Sequence, residues 1–237
     1  APEAVCEYVM TLLNSNYEEW RMQNPDKDYK EFPFNIKKMS VSGCLFDFDK
    51  LNDVSKNVIS RMSADKVYGS LTEWAKQFDP EFATALVRDP EFTKAILAIG
   101  RGGKKPRKDL TTWRDARGYM GFFFDEFMRI EDEYPEHFDK ADIKATLAKF
   151  LETYDENDDS NGWFEKIKAI ATELGYAADM KAYKQTPEAF KGSVADISMF
   201  IRVAVTGKQN APDLYTVMHI LGRERTEARI RTVYNSL

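Results

Sequence analysis

The residues best suited to chemistry in this 237-residue chain are cations, and they are concentrated. Gly100, Arg101, Gly102, Gly103, Lys104, Lys105, Pro106, Arg107 and Lys108 place five bases in nine residues. The glycines let the backbone approach a ligand closely, and the bases are suited to gripping phosphates. The stretch does not match the nucleotide-binding pattern G-x-x-x-x-G-K-[ST], because Pro106 follows Lys105 and no strand precedes it, which disfavours an ATP-cradling loop. Trp113, Tyr119, Phe122, Phe123 and Phe124 follow and offer base-stacking faces, although aromatics at that density more often build a core.

A second candidate is a lone arginine. From Val194 to Gly207, Val194, Ile197, Ile201, Ala204 and Val205 share one helical face while Met199 and Val203 lie opposite, so this helix is apolar nearly all round and belongs at a centre. Arg202 is its anomaly. The only other charge in the window, Asp196, is six residues away and cannot pair with it along the helix. The guanidinium needs either a carboxylate from another helix or something outside the protein, such as a base edge; composition alone favours the buried ion pair.

Other motifs fail on counting. Asp155 to Gly162 resembles a calcium loop, but position 12 is Lys168 or Lys166 where a bidentate glutamate is required. Asn161 is instead expected to cap the next helix. Lys38, Met39, Ser40, Val41 and Ser42 are similar to the lysine-bearing ATP loop of class I aminoacyl-tRNA synthetases, but Val41 replaces the second lysine and no paired histidines precede it. Cys6, Cys44, His137 and His219 stand apart, so neither a disulfide framework nor a metal site is expected. No catalytic residue is assigned.

The elements that must position these groups are helical. Leu51, Val54, Val58, Ile59 and Met62 form one apolar stripe and Val67, Leu71, Trp74 and Phe78 the next, with Ser63 placed to cap the second. Asp79-Pro80 and Asp89-Pro90 each set a capping acid before a proline suited to the first helical position. Stripes over 143–154 and 164–174 follow, the latter ended by Gly175. Thr186-Pro187 restarts a helix, Gly207 stops one, Pro212 opens another, and Gly222 separates it from an arginine-rich last helix. Phe32 to Phe46 is the one plausible extended segment, as a small strand pair or ordered loop.

Charge follows the same segmentation. Ile96 to Met120 holds seven bases and two acids, Gly121 to Met180 sixteen acids and six bases, and the last fifty residues seven bases and five acids. Two cationic surfaces separated by solvated acidic helices suit a polyanion, although the net charge of -5 argues against a uniformly basic nucleic-acid binder. No apolar stretch reaches the roughly 18 residues of a membrane span, and no signal peptide is visible. A soluble, cytoplasmic, monomeric protein is expected, and the start at Ala1 without a leading Met reads as a fragment of a longer one.

Taken together, these segments resemble the C-terminal part of the glutamyl-tRNA synthetase family. Phe34 to Asn52, through Phe46, Asp47, Lys50 and Leu51, is similar to the segment ending in F-D-x-x-K-L in its stem-contact region. Arg202, Val203, Ala204, Val205, Thr206 and Gly207, then Pro212, Leu214, Leu221, Gly222, Arg223, Glu224 and Arg225, are similar to its L-R-x-A-x-T-G, P-x-L and L-G-x-E-R pattern, with Ile201 where the family has Leu.

The resemblance implies an all-α fold, with a stem-contact region over 1–65, a proximal helical anticodon-binding domain over 66–138 and a distal one over 139–237. It implies that Arg202 faces the anticodon beside Ala211, Pro212 and Leu214, and that Arg107 is a second anticodon-reading arginine. Arg101, Lys104, Lys105, Lys108, Arg223 and Arg225 are then expected on the tRNA backbone. The partner is a glutamate-accepting tRNA, not DNA or a membrane. ATP and Mg belong to the parent enzyme's absent catalytic domain, so this fragment alone is expected to be inactive. The alternative is a helical protein-interaction module that docks a basic partner on the acidic helices of 125–159.

Overall fold

The computed structural model describes residues 1–39 and 43–237. These form two compact units, Ala1–Met120 and Gly121–Leu237, each helical. The expected all-α class is what the chain adopts. The segment 32–46 holds no strand among its described residues, only a 3-10 turn at Ile36–Lys38, so the strand-pair option fails there. Ser40, Val41 and Ser42 of the synthetase-like loop lie outside the described residues.

The first unit contains α1 (Pro2–Leu13), α2 (Tyr17–Gln23), α3 (Phe48–Arg61), α4 (Ala64–Phe78), α5 (Pro80–Arg88), α6 (Pro90–Ala98) and α7 (Asp115–Met120). The capping residues act as their types require: Ser63 Oγ accepts from the Lys66 amide, and the carboxylates of Asp79 and Asp89 accept from the amides of Phe82 and Phe92. Helix α1 packs on α3, and α4 packs on α5 and α6, burying Tyr8, Ile59, Val67, Leu71, Phe82 and Leu86. Burial of each such side chain contributes roughly 1.5–3 kcal/mol. Inside this unit Glu7 is 6% exposed and is held by Arg21 and Arg61 at 3.0 Å each. One carboxylate between two guanidiniums leaves the cluster cationic.

The second unit contains α8 (Lys140–Thr153), α9 (Ser160–Glu173), α10 (Met180–Gln185), α11 (Val194–Thr206), α12 (Leu214–Leu221) and α13 (Arg223–Ser236). Helix α11 packs against α8, α9, α12 and α13, and its Ile197, Phe200, Ile201, Ala204 and Val205 are all at 0% exposure. The all-round apolar pattern therefore places it at the centre. Asp196 closes a capping box with Ser193 and is fully used at that end of the helix. Asp159, not Asn161, caps α9: its carboxylate accepts from the Gly162 amide at 2.7 Å, and Asn161 already lies inside the helix. Asp213, one residue after Pro212, caps α12.

No helix of the described residues is long and apolar enough to cross a membrane.

Candidate functional site

Arg202 sits on α11, one turn before its end, and its position follows from the packing of that helix. Its neighbours Ile201 and Val203 point into the core while the guanidinium emerges beside the loop from Gly207 to Asp213. No carboxylate among the described residues forms an ion pair with it. Among the described residues its only hydrogen bond runs from Nη1 to the main-chain oxygen of Gln209, at 3.4 Å. That is longer than a normal N–H···O bond. Its Nε is buried and has no acceptor among the described residues. Burial lowers the guanidinium pKa below its ordinary value, opposed by the charge of Asp213; a guanidinium nonetheless stays protonated inside proteins, so the group is a cation with unused donors. Of the two partners open to Arg202 in the sequence, the buried ion pair is not the one the fold supplies.

The loop beside Arg202 is built from both ends. Gly207 takes φ 75° at the end of α11, and an added Cβ would lie 1.9 Å from the carbonyl oxygen of Arg129, so only glycine fits. Its own carbonyl accepts from the amides of Glu131 and Asp132 at 2.9 and 3.0 Å. Lys208 pairs with Glu131 at 2.8 Å, the Gln209 amide donates to Asp132 at 2.7 Å, and Gln209 Nε2 donates to the Glu133 oxygen at 2.8 Å. The other end is fixed by Asp213, whose carboxylate accepts from the Thr216 amide and hydroxyl at 2.9 and 2.7 Å. Pro212 and Leu214 are buried and act as the footing of the loop, while Ala211 keeps partial exposure. Sequence reasoning missed Gln209 and the 131–133 clasp, for which Gly207 was the one visible signal.

In the first unit the cationic loop splits by role. Arg101 turns inward: Nε donates to the Leu97 oxygen at 2.6 Å, and Nη1 donates to those of Ile59 and Met62 at 2.6 and 3.3 Å. It thus ties the loop to the last turn of α3. Arg107 is folded against Asp109 in a two-bond pair of 2.7 and 2.8 Å, which raises its pKa, and its stem fills the space that a Cβ on Gly100 would need. Lys104, Lys105 and Lys108 are exposed. The aromatics after them are mostly core: Trp113, Phe122, Phe123 and Phe124 are each at most 7% exposed, and only Tyr119 is half-buried.

At the start of α13, Arg223 and Arg225 are exposed, with Arg223 pairing with Glu227 at 2.7 Å. Arg229, one turn on and unremarked in the sequence, is 8% exposed; it donates to the Val205 oxygen at 3.0 Å and to Asp125 at 2.7 Å. It closes the last turn of α11 below Arg202.

Comparison with known proteins adds a family to this geometry. A family model described as an anticodon binding domain matches residues 73–234. The chain is 49% identical over 230 residues to a glutamate–tRNA ligase of Acetivibrio thermocellus, covering 97% of this chain and 42% of that one. To the glutamate–tRNA ligase of Sorangium cellulosum it is 46% identical over 226 residues, covering 94% and 40%. The chain therefore spans about two-fifths of the length of these curated relatives. A crystal structure of a glutamate tRNA ligase from Elizabethkingia meningosepticum in complex with its amino acid superposes with a TM-score of 0.62 at 18% identity, over 100% of this chain and 41% of that one, a likeness of fold.

Proposed function

Because the chain belongs to the anticodon-binding domain family, we propose that it holds a glutamate-accepting tRNA and reads its anticodon, as the C-terminal part of a glutamate–tRNA ligase. The observation that carries this reading is the guanidinium of Arg202: charged, beside a loop braced at both ends, with a buried Nε that has no partner and one long bond to Gln209. A buried donor left unpaired costs about 1–3 kcal/mol. A guanidinium can make two parallel hydrogen bonds to a base edge, and unstacked anticodon bases expose such edges.

The other assignments follow their surroundings. Lys104, Lys105 and Lys108 meet phosphates, with Arg223 and Arg225 as a second backbone contact. Arg107 is the second reader, oriented by Asp109 through Nε and Nη2 and reading through Nη1. Ala211 edges the Arg202 site, with Pro212 and Leu214 supporting it from below. The functional segments are 1–65 for the stem, 66–138 for the proximal and 139–237 for the distal anticodon-binding part. The described residues contain no cluster of three or more His, Cys, Asp or Glu able to hold a metal ion. We assign ATP and Mg, and with them glutamate activation, to the portion of the relatives that this chain does not match. We place the protein in the cytoplasm as a monomer.

The alternative of an acidic docking face finds little support. Asp125, Glu131, Asp142 and Asp158 are each engaged by a cation of their own unit: Arg229, Lys208, Lys191 and Lys166. The test is binding of the chain to glutamate-accepting tRNA and to the same tRNA with its anticodon replaced, across a salt series. Preference for the natural anticodon, on a salt-dependent background, is expected. Equal affinity for both removes the reader role, and no binding at low salt restores the docking module.

A further inference from the structure

We propose that the groove between α3 and the loop 102–108 is a track for the sugar-phosphate backbone of RNA, with Asn57, Ser60 and Arg61 as its second wall; this rests on the RNA-binding reading above. The groove encloses about 850 Å³, with those three α3 residues on one side and Lys104, Lys105 and Lys108 on the other. A hollow of about 400 Å³ shares Pro25, Asn57 and Arg61 with it and adds Arg21, Lys50 and the carboxylates of Glu7 and Glu18, so the two adjoin.

The lining carries four cations, Arg61, Lys104, Lys105 and Lys108, against the carboxylate of Asp26, a balance that suits phosphate better than base. The ammonium groups of Lys104, Lys105 and Lys108 have no acidic partner among the described residues. Across from them Arg61 is held rigid, its Nη2 bonding both oxygens of Glu7 at 3.0 and 3.1 Å. Glu7 also binds Arg21, so that pair of arginines keeps a net positive charge over one carboxylate. Asn57 adds an amide donor, and the wider part of the groove has no aromatic side chain on which a base could stack.

Arg101 sets the width. Its Nε and Nη1 are committed to the carbonyls of Leu97, Ile59 and Met62, and those bonds join the end of α3 to the start of the lysine loop. The two walls are therefore pinned before any ligand arrives, which lowers the cost of ordering on binding. Arg101 is a positioning residue, and the phosphate contacts pass to Asn57 and Arg61.

The experiment uses the full chain and two substitutions at the partly exposed Asn57, Asn57→Asp and Asn57→Lys, whose folding is checked by thermal unfolding. Affinity is measured for glutamate-accepting tRNA and for the same tRNA with its anticodon replaced. At low salt Asn57→Asp is expected to weaken both RNAs equally, by about three- to tenfold, and Asn57→Lys to strengthen both and steepen the salt dependence by about 0.7–0.9, one phosphate contact. Affinities unchanged in both variants, a loss confined to the natural anticodon, or equal competition by polyglutamate each overturn the proposal. A wild-type protein indifferent to the anticodon, with Asn57→Asp still weakening both RNAs, refutes the anticodon reading and leaves the groove standing.

Discussion

Arg202 and Gln209 are linked by a single hydrogen bond of 3.4 Å, from Nη1 to a main-chain oxygen, and Gln209 itself is anchored to Asp132 and to the Glu133 oxygen. The loop that receives the arginine is thus tightly held while the arginine is loosely held. A reader of a base edge needs that combination: a fixed frame and a cation whose donors are not already satisfied.

The frame depends on Gly207. Gly207→Ala must accommodate both φ 75° and a Cβ 1.9 Å from the Arg129 oxygen, so a loss of roughly 3 kcal/mol or more in unfolding free energy is expected. Gly102 has φ 73° but nothing within 4 Å of its would-be Cβ; Gly102→Ala is expected to cost only about 1 kcal/mol, from backbone strain alone. Chemical denaturation of both variants checks the contrast, and equal losses would mean that Arg129 gives way freely.

Arg101 braces the groove from inside. Lysine has a single ammonium and cannot reproduce three carbonyl bonds from a planar fork, so Arg101→Lys should lower stability by about 1–3 kcal/mol. The salt slope of tRNA binding is expected to stay as in the parent, because Nε and Nη1 are turned onto those carbonyls. A variant as stable as the parent but with a shallower slope would return Arg101 to the RNA surface.

Phenols with raised pKa contribute to the alkaline limit, Tyr17 and Tyr119 among them. Burial, chiefly, raises the pKa of Tyr17 and of Tyr119 to about 12, with the Asp109 charge adding to the effect at Tyr119. The unfolded chain releases these protons near pH 10 and the folded one only near pH 12, so the unfolded state binds fewer protons between those values. The stabilisation is complete below pH 10 and is lost as pH rises toward 12. Tyr119→Phe should flatten that decline in a pH series of denaturation midpoints, and an unchanged slope would show that other groups cause it.

Much of this arrangement is legible in the sequence. Capping acids before prolines, serine before an apolar stripe and the all-round apolar pattern of 194–207 specify local structure through nearest neighbours, and all-α packing follows from their periods. The Arg202 anomaly is visible because the alternative partner, Asp196, is excluded by helical spacing. What is not legible depends on distant contact. Arg101 looks like Lys104 or Lys105 until the carbonyls at the end of α3 arrive beside it, and Arg229 looks like Arg225 until Val205 and Asp125 close on it. Phe32 to Phe46 suggests strands by its breakers alone, but a strand requires a partner, and the described part of that segment has none.

The most direct test of the central claim compares Arg202→Lys with the parent chain on glutamate-accepting tRNA and on the same tRNA with its anticodon replaced. Lysine keeps the charge and loses the two-bond geometry. The parent should prefer the natural anticodon, and Arg202→Lys should lose most of that preference, about 1–3 kcal/mol or 5- to 150-fold, while binding the replaced tRNA as the parent does. Equal affinity changes for the two RNAs, or a preference that survives the substitution, would contradict the assignment of Arg202 as the anticodon reader.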